Sequence, residues 1–160
     1  MLRSIWFAAA IALITTAPIA CGEAQNSSTD KVIPIENADV EMNAAIAKAR
    51  TSIDIFWRQH KKPDPGVTSL ALKVRISDGD SVEHFWLVDI HRSSPSLSGV
   101  IDNDPNWVKT VKLGQRYTFK EADISDWTFT RNGKIVGNET LRVLLKEMPP
   151  DQAAQYRAMF

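Results

Sequence analysis

Apolar residues recur at spacings of three and four from residue 37 onward: Met42, Ala45, Ile46, Ala49, Ile53 and Phe56, with polar or charged residues between them. That period lays one apolar stripe along an amphipathic helix of about five turns. Asn37 or Asp39 can cap its start, and Pro63 closes it. Residues 61–66 (KKPDPG) are then a loop. After the loop the period changes to two. Leu70, Leu72, Val74 and Ile76 alternate with Ala71, Lys73 and Arg75, the pattern of a half-buried strand. Residues 77–80 (SDGD) have hairpin chemistry. The returning strand sets Val82, His84, Trp86, Val88 and Ile90 against Glu83, Phe85, Leu87 and Asp89, and bulky apolar groups on both faces mark it as central.

A second hairpin is signalled by Asn132-Gly133, flanked by Trp127, Thr128 and Phe129 on one side and Ile135 and Val136 on the other. Between the hairpins lie a short extended run over 97–101, a turn at Asp104 and Pro105, and a strand over 117–119. Leu141, Leu144, Leu145 and Met148 form a short helix after Asn138, and Asp151 can cap a last one. The sum is an α+β fold: an antiparallel sheet of about five strands packed against an N-terminal amphipathic helix, with short C-terminal helices.

The chain has 160 residues, 19 Lys and Arg against 19 Asp and Glu, and one cysteine. That length is about one domain, and the neutral balance argues against a nucleic-acid partner. Residues 1–20 read as a secretory signal: Arg3, an uncharged apolar run over 5–14, then Ala17, Pro18 and Ala20. The run is too short to span a bilayer, which takes about 20 apolar residues. Ile19, Ala20 and Cys21 resemble a bacterial lipobox, although Pro18 stands where such sites usually carry Leu. A lone cysteine in an exported chain has no internal disulfide partner, and residues 21–36 are a polar tether. We therefore expect lipid attachment at Cys21. Gly22 follows in place of the Asp that favours inner-membrane retention, which directs the expectation to the periplasmic side of the outer membrane. The alternative is ordinary cleavage near Ala20 or Ala24 and a soluble periplasmic protein. Residues 37–160 form the single domain.

Several segments occur in a fixed order: Glu83-His84-Phe85-Trp86, then Gly99, Asn103 and Pro105, then Ile124-Ser125-Asp126-Trp127, then Gly133, Gly137, Asn138 and Thr140. In these, and in the helix pattern of Ala45, Ile46, Ala49, Arg50 and Phe56, the chain resembles the YegJ-type DUF2314 family of bacterial proteins, which has exported members. The resemblance runs from about Met42 to Leu145. It implies the domain limits, and it implies no activity and no catalytic residues.

The chemistry must come from the residues themselves. Glu83 and His84 are adjacent on a strand, so they point to opposite faces and cannot share one cleft as an acid–base dyad. His84 beside Trp86 is a candidate base or ligand donor in an aromatic-lined pocket. Read structurally, its ring nitrogens are satisfied by backbone or by a carboxylate such as Asp126, and we take that reading first because geometry precedes role. Ser125, Asp126 and His84 contain the residue types of a hydrolase triad without its glycine-flanked strand-to-helix elbow. Asp126 more simply caps a turn and Trp127 fills the core.

Trp86, Trp107 and Trp127 are candidate platforms for a glycan or peptide, with core filling as their first reading. Asn103, also a ligand-binding candidate, is first a turn residue. Gly99, Gly133 and Gly137 read as turn positions with positive φ. His60, His84 and His91 lack ligand spacing, so no metal is expected, and no cofactor is implied. These readings favour a non-enzymatic binding or interaction module of the cell envelope with a protein, peptide or glycan partner. The alternative is an envelope hydrolase or ligand-binding enzyme using His84 with Asp126 or Glu83.

Overall fold

The computed structural model describes residues 35–93 and 96–160. The expected signal over 1–20, Cys21, Gly22 and most of the tether lie outside the described residues.

The expected single N-terminal helix is two: α1 (Ile35–Thr51) and α2 (Ile53–Lys61). The break has a local cause. The Thr51 and Ser52 hydroxyls both donate to the Lys48 carbonyl at 2.9 Å, and the Ser52 hydroxyl also reaches Ala49 at 3.2 Å. Such back-bonding competes with the helical ladder and bends the chain. Asn37 and Asp39 fall inside α1 rather than capping it. The bend lets α2 turn Phe56 and Trp57 into the core while Ala49 of α1 stays buried there.

The sheet has six strands, one more than expected: β1 (Val67–Asp78), β2 (Ser81–Ser93), β3 (Ser96–Ile101), β4 (Arg116–Phe119), β5 (Ile124–Arg131) and β6 (Lys134–Gly137). Their order is β4-β3-β2-β1-β5-β6, and every pairing is antiparallel. The extra strand is the short extended run before the long loop, which pairs with both β2 and β4. The two hairpins form where their sequences direct. Gly79 takes φ 56° between the paired Asp78 and Ser81, and Asn132 and Gly133 take 50° and 79° between Arg131 and Lys134. Two successive positive φ values define the type I′ turn, which Asn-Gly adopts readily.

Leu72, Val74, Phe85, Leu87, Trp127 and Phe129 form one apolar face, on which Ala49, Phe56 and Trp57 pack. The Trp127 indole N–H donates to the Ala49 carbonyl at 2.9 Å, and Arg50 donates to the Ile124 and Ala122 carbonyls at 2.7 and 2.8 Å. These bonds clamp α1 to the start of β5. Gly99 is not a turn glycine. It lies within β3, where an added Cβ would come 2.7 Å from Ile90 Cδ1 and 3.0 Å from Leu87 Cβ, so its reason is close packing. Gly137, at φ 80°, is both turn and close approach, since a Cβ there would fall 2.4 Å from the Trp127 carbonyl.

Three register shifts interrupt the ladders: one lies in β1 between Thr68 and Ala71, where Ser69 takes φ 55°, and the other two redirect side chains of the core and the site. Leu87 and Ile90 both enter the core although three residues apart, because Asp89 at φ 48° breaks the register of β2 with β3. Ile90 therefore leaves the face that strict alternation assigns it with His84. Ile124 and Trp127 repeat the spacing on β5, where the register with β1 shifts opposite Lys73 and Val74. An extra residue in one strand of an antiparallel pair has this effect. It turns both Ser125 and Asp126 away from the apolar face.

After β6 come α3 (Glu139–Leu144) and α4 (Pro150–Arg157). Pro150, not Asp151, begins the last helix, Pro being favoured at the first helical position. Leu141, Leu145 and Ala153, with Met148, Tyr156 and Phe160 against them, form a second small cluster. The Ile135 N–H donates to the Met159 carbonyl at 2.6 Å, so the C-terminus covers part of the β6 edge.

Candidate functional site

The face of the sheet opposite α2 holds four of the residues singled out above, His84, Trp86, Ser125 and Asp126. The register sets Lys73 opposite Trp86 on β2 and Asp126 on β5, and His84 opposite Arg75. Lys73, His84, Ser125 and Asp126 are all buried, with exposures of 4, 4, 1 and 0%.

His84 and Asp126 do not pair. His84 Nδ1 lies 2.7 Å from Ser125 Oγ, and that hydroxyl donates its one proton to the Lys73 carbonyl at 3.2 Å. A hydroxyl whose proton is so engaged accepts from the ring, which makes Nδ1 the protonated nitrogen. Asp126 is occupied elsewhere. Its Oδ1 accepts from the N–H groups of Trp127 (2.8 Å) and Glu139 (3.2 Å), and its Oδ2 from the Thr140 N–H (2.8 Å) and hydroxyl (2.6 Å). It thus holds the first turn of α3, the turn-capping role expected of it. Asn138, at φ 56°, contributes the sharp entry into that helix.

Lys73 has no distinguishing mark in the sequence, where it reads as an outward residue of an amphipathic strand. Its Nζ donates to Thr140 Oγ1 at 2.7 Å and stands 4.6 Å from the centroid of the Trp86 ring. Burial lowers its pKa to about 8 against the opposing pull of the Asp126 charge. His84 is lowered to about 3 by burial, helped by the positive charges of Lys73, Arg75 and Arg50. A ring so weakly basic is poorly matched to taking a proton from serine near neutral pH. Ser125 is also out of reach of solvent.

Glu83 faces the other way and is 1% exposed. Its carboxylate accepts from the backbone N–H groups of Asn106 (3.0 Å), Trp107 (3.1 Å) and Val108 (3.2 Å) and from the Asn106 side-chain amide (3.0 Å). Burial alone would raise its pKa. The N–H groups of Trp107, Asn106 and Val108 outweigh that and hold the carboxyl below its usual range. Glu83 is the anchor of the β3–β4 loop. Asn103 is the loop's other tie: its Oδ1 accepts from the Trp86 N–H at 2.8 Å, continuing the β2–β3 ladder with a side chain. The tryptophans divide. Trp127 is 2% exposed in the core, Trp86 is half-buried under Lys73, and Trp107 stands 53% exposed on the loop that Glu83 holds.

A second region was not singled out by any motif. Asp54, Trp57, Arg58, His60 and Lys61 of α2, with Arg92 of β2, line an open cleft of about 870 Å³. The Arg92 guanidinium rests 4.5 Å from the centroid of the Trp57 ring. His60 donates Nε2–H to the Ile90 carbonyl at 2.8 Å, tying α2 to β2 at the cleft wall. Among the described residues no group of three or more His, Cys, Asp or Glu side chains is placed to hold a metal ion. No helix among them is long and apolar enough to cross a membrane.

Fold and site together describe a small α+β domain whose signature residues lock a loop, a helix start and a strand bulge. The chain belongs to the DUF2314 family, described as an uncharacterized protein conserved in bacteria, whose model matches residues 39–160. It is 41% identical over 117 residues to the uncharacterized protein YegJ of Escherichia coli K12, covering 73% of this chain and 75% of that one. It is also 28% identical over 132 residues to a putative ankyrin repeat protein of Neisseria meningitidis serogroup B, covering 78% of this chain and 52% of that one. No solved structure matches the chain significantly.

Proposed function

We propose that this domain is a non-enzymatic binding module of the bacterial cell envelope, exported by its N-terminal signal and tethered by a lipid on Cys21 at the periplasmic side of the outer membrane. One observation supports the reading above the rest. The three candidate catalytic groups, Glu83, His84 and Asp126, are each at most 4% exposed, and the hydrogen bonds of both carboxylates go to backbone and side chains that the fold needs in place. A general base or nucleophile must reach substrate, and these do not.

Two experiments test the proposal. Labelled palmitate should enter the wild-type chain and not Cys21→Ser, with the protein in the outer-membrane fraction; an unlabelled protein in the soluble periplasm rejects the tether. A panel of ester, amide and glycoside substrates should give the same background rate with wild type and His84→Gln. Turnover by wild type that disappears in a folded His84→Gln protein moves the function to a hydrolase.

A further inference from the structure

The cleft between α2 and the end of β2 has the makings of an anion site. Arg58 and Lys61 come from the last turn of α2, and Arg92 enters from the sheet. Against these three cations stands one lining carboxylate, Asp54, so the cleft carries a formal excess of two positive charges. Cations at a helix C-terminus complement its dipole, which accounts for Arg58 and Lys61. It does not account for Arg92, which belongs to a different element and is laid across the Trp57 ring with its side chain 51% exposed. Arg92 also stands 3.7 Å from Glu121, an exposed pair in water that is worth little and that a ligand can replace.

The second observation is independent of charge. Trp57 is 8% exposed, and its indole N–H is buried with no hydrogen-bond partner among the described residues. Buried indole donors usually find an acceptor, and leaving one unmet costs free energy. Trp57 is itself part of the cleft wall, and the Arg92 guanidinium lies against its ring there.

We infer that the cleft formed by Trp57, Arg58, Lys61 and Arg92 binds a phosphate-type oxyanion, from a phospholipid headgroup or a soluble phosphate monoester. A phosphate monoester carries about −1.5 to −2 charges at neutral pH, opposite in sign to the cleft's excess, which is two among the lining residues and one when Glu121 beside Arg92 is counted. Its tetrahedral oxygens suit the guanidinium fork and a separate N–H donor at once. The inference rests on the binding-module reading and supplies it with a ligand class.

The test uses the full-length chain in detergent, with nitrogen-labelled indole resonances assigned through Trp57→Phe. Inorganic phosphate and glycerol phosphate are titrated separately, and the expected result is a saturable shift of the Trp57 indole signal. Arg92→Gln should weaken binding about tenfold through loss of the bidentate contact, whereas Lys112→Gln, on the distant β3–β4 loop, should leave it unchanged. Absence of a shift overturns the site. So does a shift that both variants share, because that is general charge screening. Vesicles of phosphatidylglycerol and of phosphatidylcholine separate the sources. Binding to the former, competed by phosphate, assigns a headgroup, and phosphate binding without vesicle binding assigns a soluble ester. Turnover dependent on His84 would reject the module reading instead, so the two failures are distinguishable.

Discussion

The polar seam on the sheet and the cleft beside α2 hold similar residue types under opposite conditions. In the seam, Lys73, His84, Ser125 and Asp126 are excluded from water, and the Lys73–Thr140–Asp126 chain holds the start of α3. In the cleft, Arg58, Lys61 and Arg92 remain in solvent, and the buried Trp57 Nε1 has no partner among the described residues. A polar group in low dielectric is costly unless fully partnered, so the seam is rigid and structural; a solvated charge costs little to leave available. The residue types that suggest catalysis are therefore those most committed to the fold.

Four perturbations test this contrast, the strongest first. Asp126→Ala removes four hydrogen bonds and leaves the Lys73 charge without its carboxylate, so unfolding free energy should fall by about 3–5 kcal/mol in urea denaturation. A loss below about 1 kcal/mol shows the seam to be dispensable.

Acid comes next. The His84 pKa is about 3 folded against 6.5 for the free side chain, so between those values the unfolded state binds the extra proton. Its stabilising contribution is complete above about pH 6.5 and declines as pH falls toward 3, by a few kcal/mol. Glu83 acts in the same direction at lower pH, its contribution being lost as pH falls through its depressed pKa. Lys73, lowered from 10.5 to about 8, adds stability as pH rises through that interval. His84→Gln should flatten the midpoint of thermal unfolding between pH 6.5 and 4 relative to wild type. An unchanged slope would place the acid sensitivity elsewhere.

Glu83→Gln keeps the shape and loses the charge that three backbone N–H groups share. We expect about 1–3 kcal/mol of destabilisation, with faster hydrogen exchange at Asn106, Trp107 and Val108. Retained protection at those amides would mean the loop is held from outside this carboxylate. Arg92→Gln should be the mildest, within about 0.5 kcal/mol, because its side chain is half in water. A larger loss would make the Arg92–Trp57 stack part of the fold and erase the distinction between the two regions.

Much of the architecture is legible in local pattern. The period-two runs locate β1 and β2, Asn132-Gly133 specifies its turn, and the three-and-four spacing finds the helical residues, because backbone sterics and one-sided burial act over a few neighbours. The break between α1 and α2 has a local signal as well, the adjacent hydroxyls of Thr51 and Ser52, but it competes with an unbroken apolar stripe. Asp126 as a capping residue and Trp127 as a core residue could be read from chemistry and size. What only the tertiary structure decided are the partners and the exposures. A bulge in β5 gives His84 to Ser125, another in β2 moves Ile90 into the core, and Lys73 becomes a buried amine though its position reads as solvent. Arg92 meets Trp57 across 34 intervening residues. Register, burial and long-range pairing depend on which strands lie side by side, and that is a property of the whole chain.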